Sequence, residues 1–189
     1  LHASTRTIAV DAVLHRINRL AFDRVLAIVA WMTRRPRWQG VARRLLGALG
    51  RLVTWLYRVR PSAVPEGFGR EWERVFPSRK AVRLTAVHGD TAIGEIHVRC
   101  PLRGSGDVHA CWRLMHYDRV IAERAGADFV VLASQAEPGR SHCVVALRAR
   151  GADWSDLVAA HRRAPAPYAE PLPPAPPPKP PDQTGQAAD

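Results

Sequence analysis

The spacing of apolar residues changes at one place in this chain, and that change decides its fold class. Before Pro61 large apolar side chains recur mainly every three or four positions, the period of a helix face. After Pro77 they begin to alternate with polar ones, the period of a strand with one buried side. Between the two lies a segment, Pro61 to Pro77, with three prolines and two glycines around Glu71, Trp72 and Phe76. It reads as a surface connection with at most one short helical turn.

In the first third, Ile8, Leu14, Ile17, Leu20, Val25, Ile28 and Met32 mark an amphipathic helix from Ile8 to Arg34, closed by Pro36. A second helix follows from Trp38 to Arg58. Its apolar stripe is Val41, Leu45, Leu49, Leu52 and Leu56, thickened by Leu46 and Val53, and such a stripe is expected to face the core. Arg43, Arg44, Arg51 and Arg58 fall largely off it. Gly47 and Gly50 each lower helix propensity by about 1 kcal/mol, so close packing against a neighbour is the expected reason for them.

The alternating part contains two hairpins. Ala81 to Val87 and Ile93 to Cys100 flank a tight turn at His88, Gly89 and Asp90; Phe129 to Ala133 and His142 to Leu147 flank the turn around Glu137, Pro138 and Gly139. Between the hairpins Pro101 stops a strand, Gly104, Ser105 and Gly106 form a loop, and Asp107 caps a central helix running to Ala125 before Gly126. A short helix is expected near Trp154 to His161. The order ααββαββ makes this an α+β fold, with two N-terminal amphipathic helices packed on a small antiparallel sheet and one central helix. Residues 1–60 are a basic helical region and 61–163 the cysteine-containing region of the same domain. Residues 164–189, rich in proline and alanine, form a tail expected to be disordered and partly polyproline II. Its Pro-x-x-Pro spacing suits either an SH3-like groove or a simple tether.

Charge is as unevenly placed as structure. The chain carries a net +11, and residues 1–60 alone hold twelve arginines against Asp11 and Asp23. Such a face is either simply solvated or docks on an anionic membrane surface or an acidic protein partner. Nucleic acid is not expected, because zinc-finger spacing, an RNA-binding aromatic signature and a Gly-rich KH loop are all missing. No apolar run approaches the roughly 18 residues of a membrane span. Three cysteines are too few for a disulfide framework, which points to a reducing compartment and a cytoplasmic protein, peripheral to a membrane if the basic region docks there.

The three cysteines carry the chemistry. Cys100 ends a strand, Cys111 lies in the first turns of the central helix and Cys143 in the middle of the last strand, so the fold can bring them together. Cys111 sits near a helix N-terminus, whose partial positive charge is expected to lower its thiol pKa. Asp118, seven residues on, shares its face, and His109 and His116 lie on an adjacent stripe, a plausible nucleophile and proton-handling set. The plain alternative packs Cys111 as a core residue, pairs Asp118 with Arg119 or Arg148 and leaves both histidines in water. A metal held by Cys100, Cys111 and Cys143 with His109 or His142 is a further option, although CxxC and HxxxH pairs do not occur. No other cofactor is called for. A Ser-His-Asp site lacks its GxSxG elbow.

Cys100-Pro101 closing a strand, Cys111 with Asp118 on the following helix, and Gly139 to Cys143 entering a last strand together resemble the L-2-amino-thiazoline-4-carboxylic acid hydrolase family. The resemblance covers residues 81 to 150, and more loosely the first helices. It implies a small α+β hydrolase that opens a cyclic C–N or thiazoline ring with cysteine participation. Cys100, Cys111 and Cys143 would line the site, one of them as nucleophile, with Asp118 orienting or deprotonating. Arg103 or Arg113 would hold a substrate carboxylate through a bidentate fork, beside His109 and His116. Two features depart from the family: Val144 stands where an acidic residue is expected after the third cysteine, and the Gly104-Ser105-Gly106 loop is this chain's own. The alternative from another class is a non-catalytic accessory or membrane-peripheral protein docking through its basic helices.

Overall fold

The computed structural model describes residues 24–76 and 78–163. Residues 8–23 of the helix expected from Ile8 to Arg34, and the tail expected over 164–189, lie outside the described residues. Helix α1 is seen over residues 24–34, and α2 runs from Pro36 to Leu56. Pro36 separates them: it occupies the first turn of α2, where its missing N–H is no loss, and Arg35 before it is extended (φ −106°, ψ 115°).

The face of α2 that turns inward is not the expected one. Ala42, Leu46, Gly47, Gly50 and Thr54 are buried, whereas Val41, Leu45, Leu49, Leu52 and Leu56 are between 44% and 57% exposed. Small residues decide the orientation, because they let the backbone of α2 lie close on α5 (His116–Ala125). A Cβ at Gly50 would stand 2.9 Å from Val120 Cβ and 3.2 Å from the Tyr117 carbonyl. Close packing is thus the reason for Gly50, and the large apolar residues are left on the outer side.

The proline- and glycine-rich connection contains a real helix, α3 (Pro65–Arg74), which corrects the expectation of at most one turn. Pro65 starts it, Glu66 and Arg70 pair across one turn at 2.6 Å, and Phe68, Trp72 and Val75 turn one apolar face into the core. Phe68 and Trp72 are fully buried. Its glycines serve packing: a Cβ at Gly69 would meet Leu84 at 2.8 Å, and one at Gly94 of the sheet would meet the Trp72 ring at 2.6 Å. The breakers that mimic a loop in sequence are contact points in space.

The sheet is antiparallel in the order β1-β2-β4-β3, with β1 (Val82–His88), β2 (Thr91–Ile96), β3 (Ala127–Ala133) and β4 (Cys143–Ala149). Both expected hairpins form, and β2 pairs with β4 to join them, Ile96 opposite Cys143. Helices α3 and α5 pack against the sheet, and α2 lies on α5. Two strand ends differ from expectation in a way that matters for the cysteines. Strand β2 stops at Ile96, so Cys100 lies in the loop beyond it, and Cys143 is the first residue of β4 rather than its middle. The cause is Gln135, whose Nε2 donates to the carbonyls of Ile96 (3.1 Å) and Val98 (2.9 Å) while its Oε1 accepts from Cys100 N (3.3 Å). One side chain replaces the ladder there.

The central helix is two helices. Asp107 caps α4 (Val108–Leu114) by accepting from Ala110 N at 2.8 Å, as expected, but the helix breaks at Met115 before α5. The Arg119 guanidinium donates to the Trp112 carbonyl at 2.7 Å, a side chain inserted at the break. Gly126, in the left-handed region at φ 96°, closes α5. The helix expected over Trp154–His161 is only a 3₁₀ turn, η1 (Ala160–Arg162). Asp153 accepts from Ser155 N (3.0 Å) and Ser155 Oγ (2.6 Å), a local side-chain turn that competes with helix there. Among the described residues no helix is long and apolar enough to cross a membrane.

Candidate thiol site

The fold brings the three cysteines together from a loop, a helix and a strand end. Cys111 and Cys143 form an interacting pair of thiols, Cys143 Sγ accepts from Gln135 N at 3.2 Å, and Ser134 lies beside Cys111. Cys100 Sγ accepts from Leu102 N at 3.4 Å and lies within electrostatic reach of Cys143 and Arg103. Cys111 and Cys143 are buried, at 1% and 0% exposure, and Cys100 is the outermost of the three.

The thiols differ in acidity for local reasons. The hydrogen bond from Cys111, reinforced by the backbone and side chain of Gln135, holds the Cys143 thiol below its ordinary pKa despite burial and the charge of Asp118. Cys111 is pushed well up, because its proton is the one held in that bond and because it is buried. Cys100 is raised by burial, only partly offset by Leu102 N–H and Arg103. The expectation that the helix end would acidify Cys111 therefore reverses. Helix α4 is seven residues long, and its first turn is already answered by the Asp107 carboxylate. The result is a thiol pair in which Cys143 is the more acidic member.

Asp118 is 6% exposed, and its Oδ1 accepts from Trp72 Nε1 at 3.1 Å. Burial pushes its carboxyl up to about 6, against the hydrogen bond from Trp72 and the nearby charge of Arg119. Arg148 does not pair with it; that guanidinium is held by Asp156 at 2.5 Å and Asp90 at 3.3 Å.

Of the residues expected to hold substrate, only Arg103 stands beside the thiols. Its Nε and Nη2 donate to Gln135 Oε1 at 3.0 and 2.7 Å, and Nη2 also donates to the Ser141 carbonyl at 2.6 Å. Arg113 instead ties α4 to α1 through the Thr33 carbonyl at 2.6 Å. His109 turns to His161, with ring centroids 6.3 Å apart. His116 lies against α2, where a Cβ on Gly47 would be 3.3 Å from its Nε2. Burial, Arg119 and Arg43 keep its pKa low. His142 stacks on His97 at 4.8 Å, and His97 Nε2 meets Glu95 at 2.7 Å. The Cys₃His option fails on these placements: among the described residues no group of three or more His, Cys, Asp or Glu side chains is arranged to hold a metal ion.

Gln135 and Ser134 are central to the geometry, yet the sequence does not single them out. Both sit in a polar stretch whose only local signal is a turn. A buried amide that bridges a loop to a strand end becomes visible only when the two are in place. No protein-family model, curated protein or solved structure matches this chain.

Proposed function

We propose that this protein is a cysteine-dependent hydrolase acting on a small cyclic C–N bond of the amide or thiazoline type, with Cys143 as nucleophile. The observation that carries the reading is the buried pair of interacting thiols, in which Cys143 Sγ accepts from Gln135 N–H at 3.2 Å and its thiol is held below its ordinary pKa. A thiolate rather than a thiol is the competent nucleophile, and this arrangement concentrates thiolate character on one sulfur. In the proposed reaction Cys143 Sγ adds to the ring carbon, the C–N bond breaks, and its electron pair stays on nitrogen, which takes the proton held by Cys111. Water then adds to the sulfur-linked carbon and returns a proton to Cys111, and the Cys143 thiolate leaves.

Arg103, beside the thiols, would offer its guanidinium to a substrate carboxylate, and Gln135 holds that side chain in place. The Gly104-Ser105-Gly106 loop next to it is fixed by Gly104 N and Gly106 N donating to the carbonyls of Gln135 and Ala136, each at 2.8 Å. Asp118, engaged with Trp72, contributes a charge that opposes the Cys143 thiolate, so the orienting role passes to Gln135 and the proton to Cys111.

Alkylation of the native protein by iodoacetamide across pH, with mass spectrometry to locate the label, tests this together with turnover of L-2-amino-thiazoline-4-carboxylate. Cys143 is expected to react with a midpoint below the unperturbed value of about 8.5. Cys111→Ala should move that midpoint upward, and Cys143→Ala should abolish turnover. An inert Cys143 with no turnover rejects the reading.

A further inference from the structure

We propose that the outer face of α1 and α2 seats on the surface of an anionic lipid bilayer. The face is apolar where a water-facing helix should be polar: Trp38, Leu45, Leu49, Leu52 and Leu56 are between 38% and 57% exposed, while Ala42, Gly47 and Gly50 take the inner side. Tryptophans mark both ends of it. Trp31 and Trp38 approach to 6.3 Å at the corner between the helices, and Trp55, 73% exposed, stands at the far end. Indole rings favour the headgroup level of a bilayer, where one edge is apolar and the other wet.

The charge on the same helices names the partner. Residues 24–60 contain nine arginines and no aspartate or glutamate. Arg37, Arg44 and Arg51 recur every seven residues, each directly before Trp38, Leu45 and Leu52, so a basic row borders the apolar row along α2. This is the pattern of a helix lying in an interface, its apolar face in the acyl boundary and its guanidinium groups among anionic headgroups. A second copy seated on this face would set arginines against arginines with no acid from either side. The chain's own residues 1–23 carry Arg6, Arg16 and Arg19 against Asp11 and Asp23, a net positive charge that does not neutralise the face. An anionic leaflet supplies both the apolar boundary and the negative charge. The face lies on the side of α2 away from α5, and the proposal uses none of the thiol chemistry.

Flotation of the full chain with vesicles of phosphatidylcholine alone, and of phosphatidylcholine with phosphatidylserine, tests it, with brominated lipid to quench tryptophan. Binding and quenching are expected on the phosphatidylserine vesicles and little on the neutral ones. Changing Arg37, Arg44 and Arg51 together to Gln should weaken binding on the order of a hundredfold, since each basic residue near a charged leaflet is worth about fivefold. Leu49→Glu with Leu52→Glu should abolish it with the circular dichroism spectrum unchanged. Equal binding to both vesicles, or none, overturns the proposal. So does a monomer–dimer equilibrium that the leucine pair removes, which would assign the face to a second copy. A lower melting temperature in that pair would also overturn it, assigning the face to the chain's own residues.

Discussion

Asp118 is a charged group in an unfavourable place. Its carboxyl titrates at an ordinary 3.8 when unfolded and at about 6 in the folded protein. Between those values the folded state binds more protons than the unfolded one, so this group's contribution falls as pH rises through the window, and its full penalty is present above it. Keeping that carboxylate charged in its buried place costs about 3 kcal/mol. Asp118→Asn keeps an acceptor for Trp72 Nε1 and removes the charge, while adding a buried amide NH₂ that needs a partner. It should stabilise the protein by about 1–2 kcal/mol at neutral pH and by little below the window, measured by denaturant unfolding of both proteins across pH. A difference that does not vary with pH would reject this account. The same change removes a charge that opposes the Cys143 thiolate, so the alkylation midpoint of Cys143 should move down.

Among the elements, glycines separate packing from mere tolerance. Gly40 in α2 is exposed, with nothing within 4 Å of where an added methyl would stand, so Gly40→Ala should gain about 0.5–1 kcal/mol from helix propensity. Gly94 lies under the Trp72 ring between two paired strands, and Gly94→Ala should lose about 1–3 kcal/mol by overpacking. Thermal unfolding of the two variants gives opposite signs if the α3–sheet contact is as described. Gln135 is the joint of another element, the loop from residue 97 to 106. Gln135→Leu leaves the carbonyls of Ile96 and Val98 and the N–H of Cys100 without that partner, and should cost about 1–3 kcal/mol. Hydrogen exchange should quicken across residues 97–106 with β3 and β1 unchanged, and Cys100 should alkylate faster; uniform quickening would instead indicate global destabilisation.

For the molecule as a whole, the arrangement separates two surfaces. The thiols lie where the loop after β2, the start of α4 and the end of the sheet meet, while the apolar basic face is carried by α2 on the far side of α5. Substitutions on the two should therefore be additive. Adding Leu49→Glu and Leu52→Glu to Cys143→Ala should leave the stability change caused by Cys143→Ala unaltered, because distant sites without shared partners add within about 0.5 kcal/mol. A large coupling would mean that the helices and the thiol site move as one unit.

Much of the fold was legible in the chain itself. The shift from helical to alternating spacing yields the α+β class, both hairpins follow from their turn residues, Asp107 announces its cap, and Gly50 announces a close helix contact. These are local signals, or signals whose meaning does not depend on the neighbour's identity. Helix α3 was hidden because prolines and glycines read as breakers until Trp72 and the sheet are there to pack against them. The cysteines were singled out by residue type alone, but which thiol is the more acidic depends on the hydrogen bond from Gln135 and on the meeting of two thiols thirty-two positions apart in sequence. The face of α2 shows the same division. Its period establishes that one side is apolar, but only the tertiary structure decides that this side points outward, because the helix buries whichever side allows the closest approach of its backbone to α5.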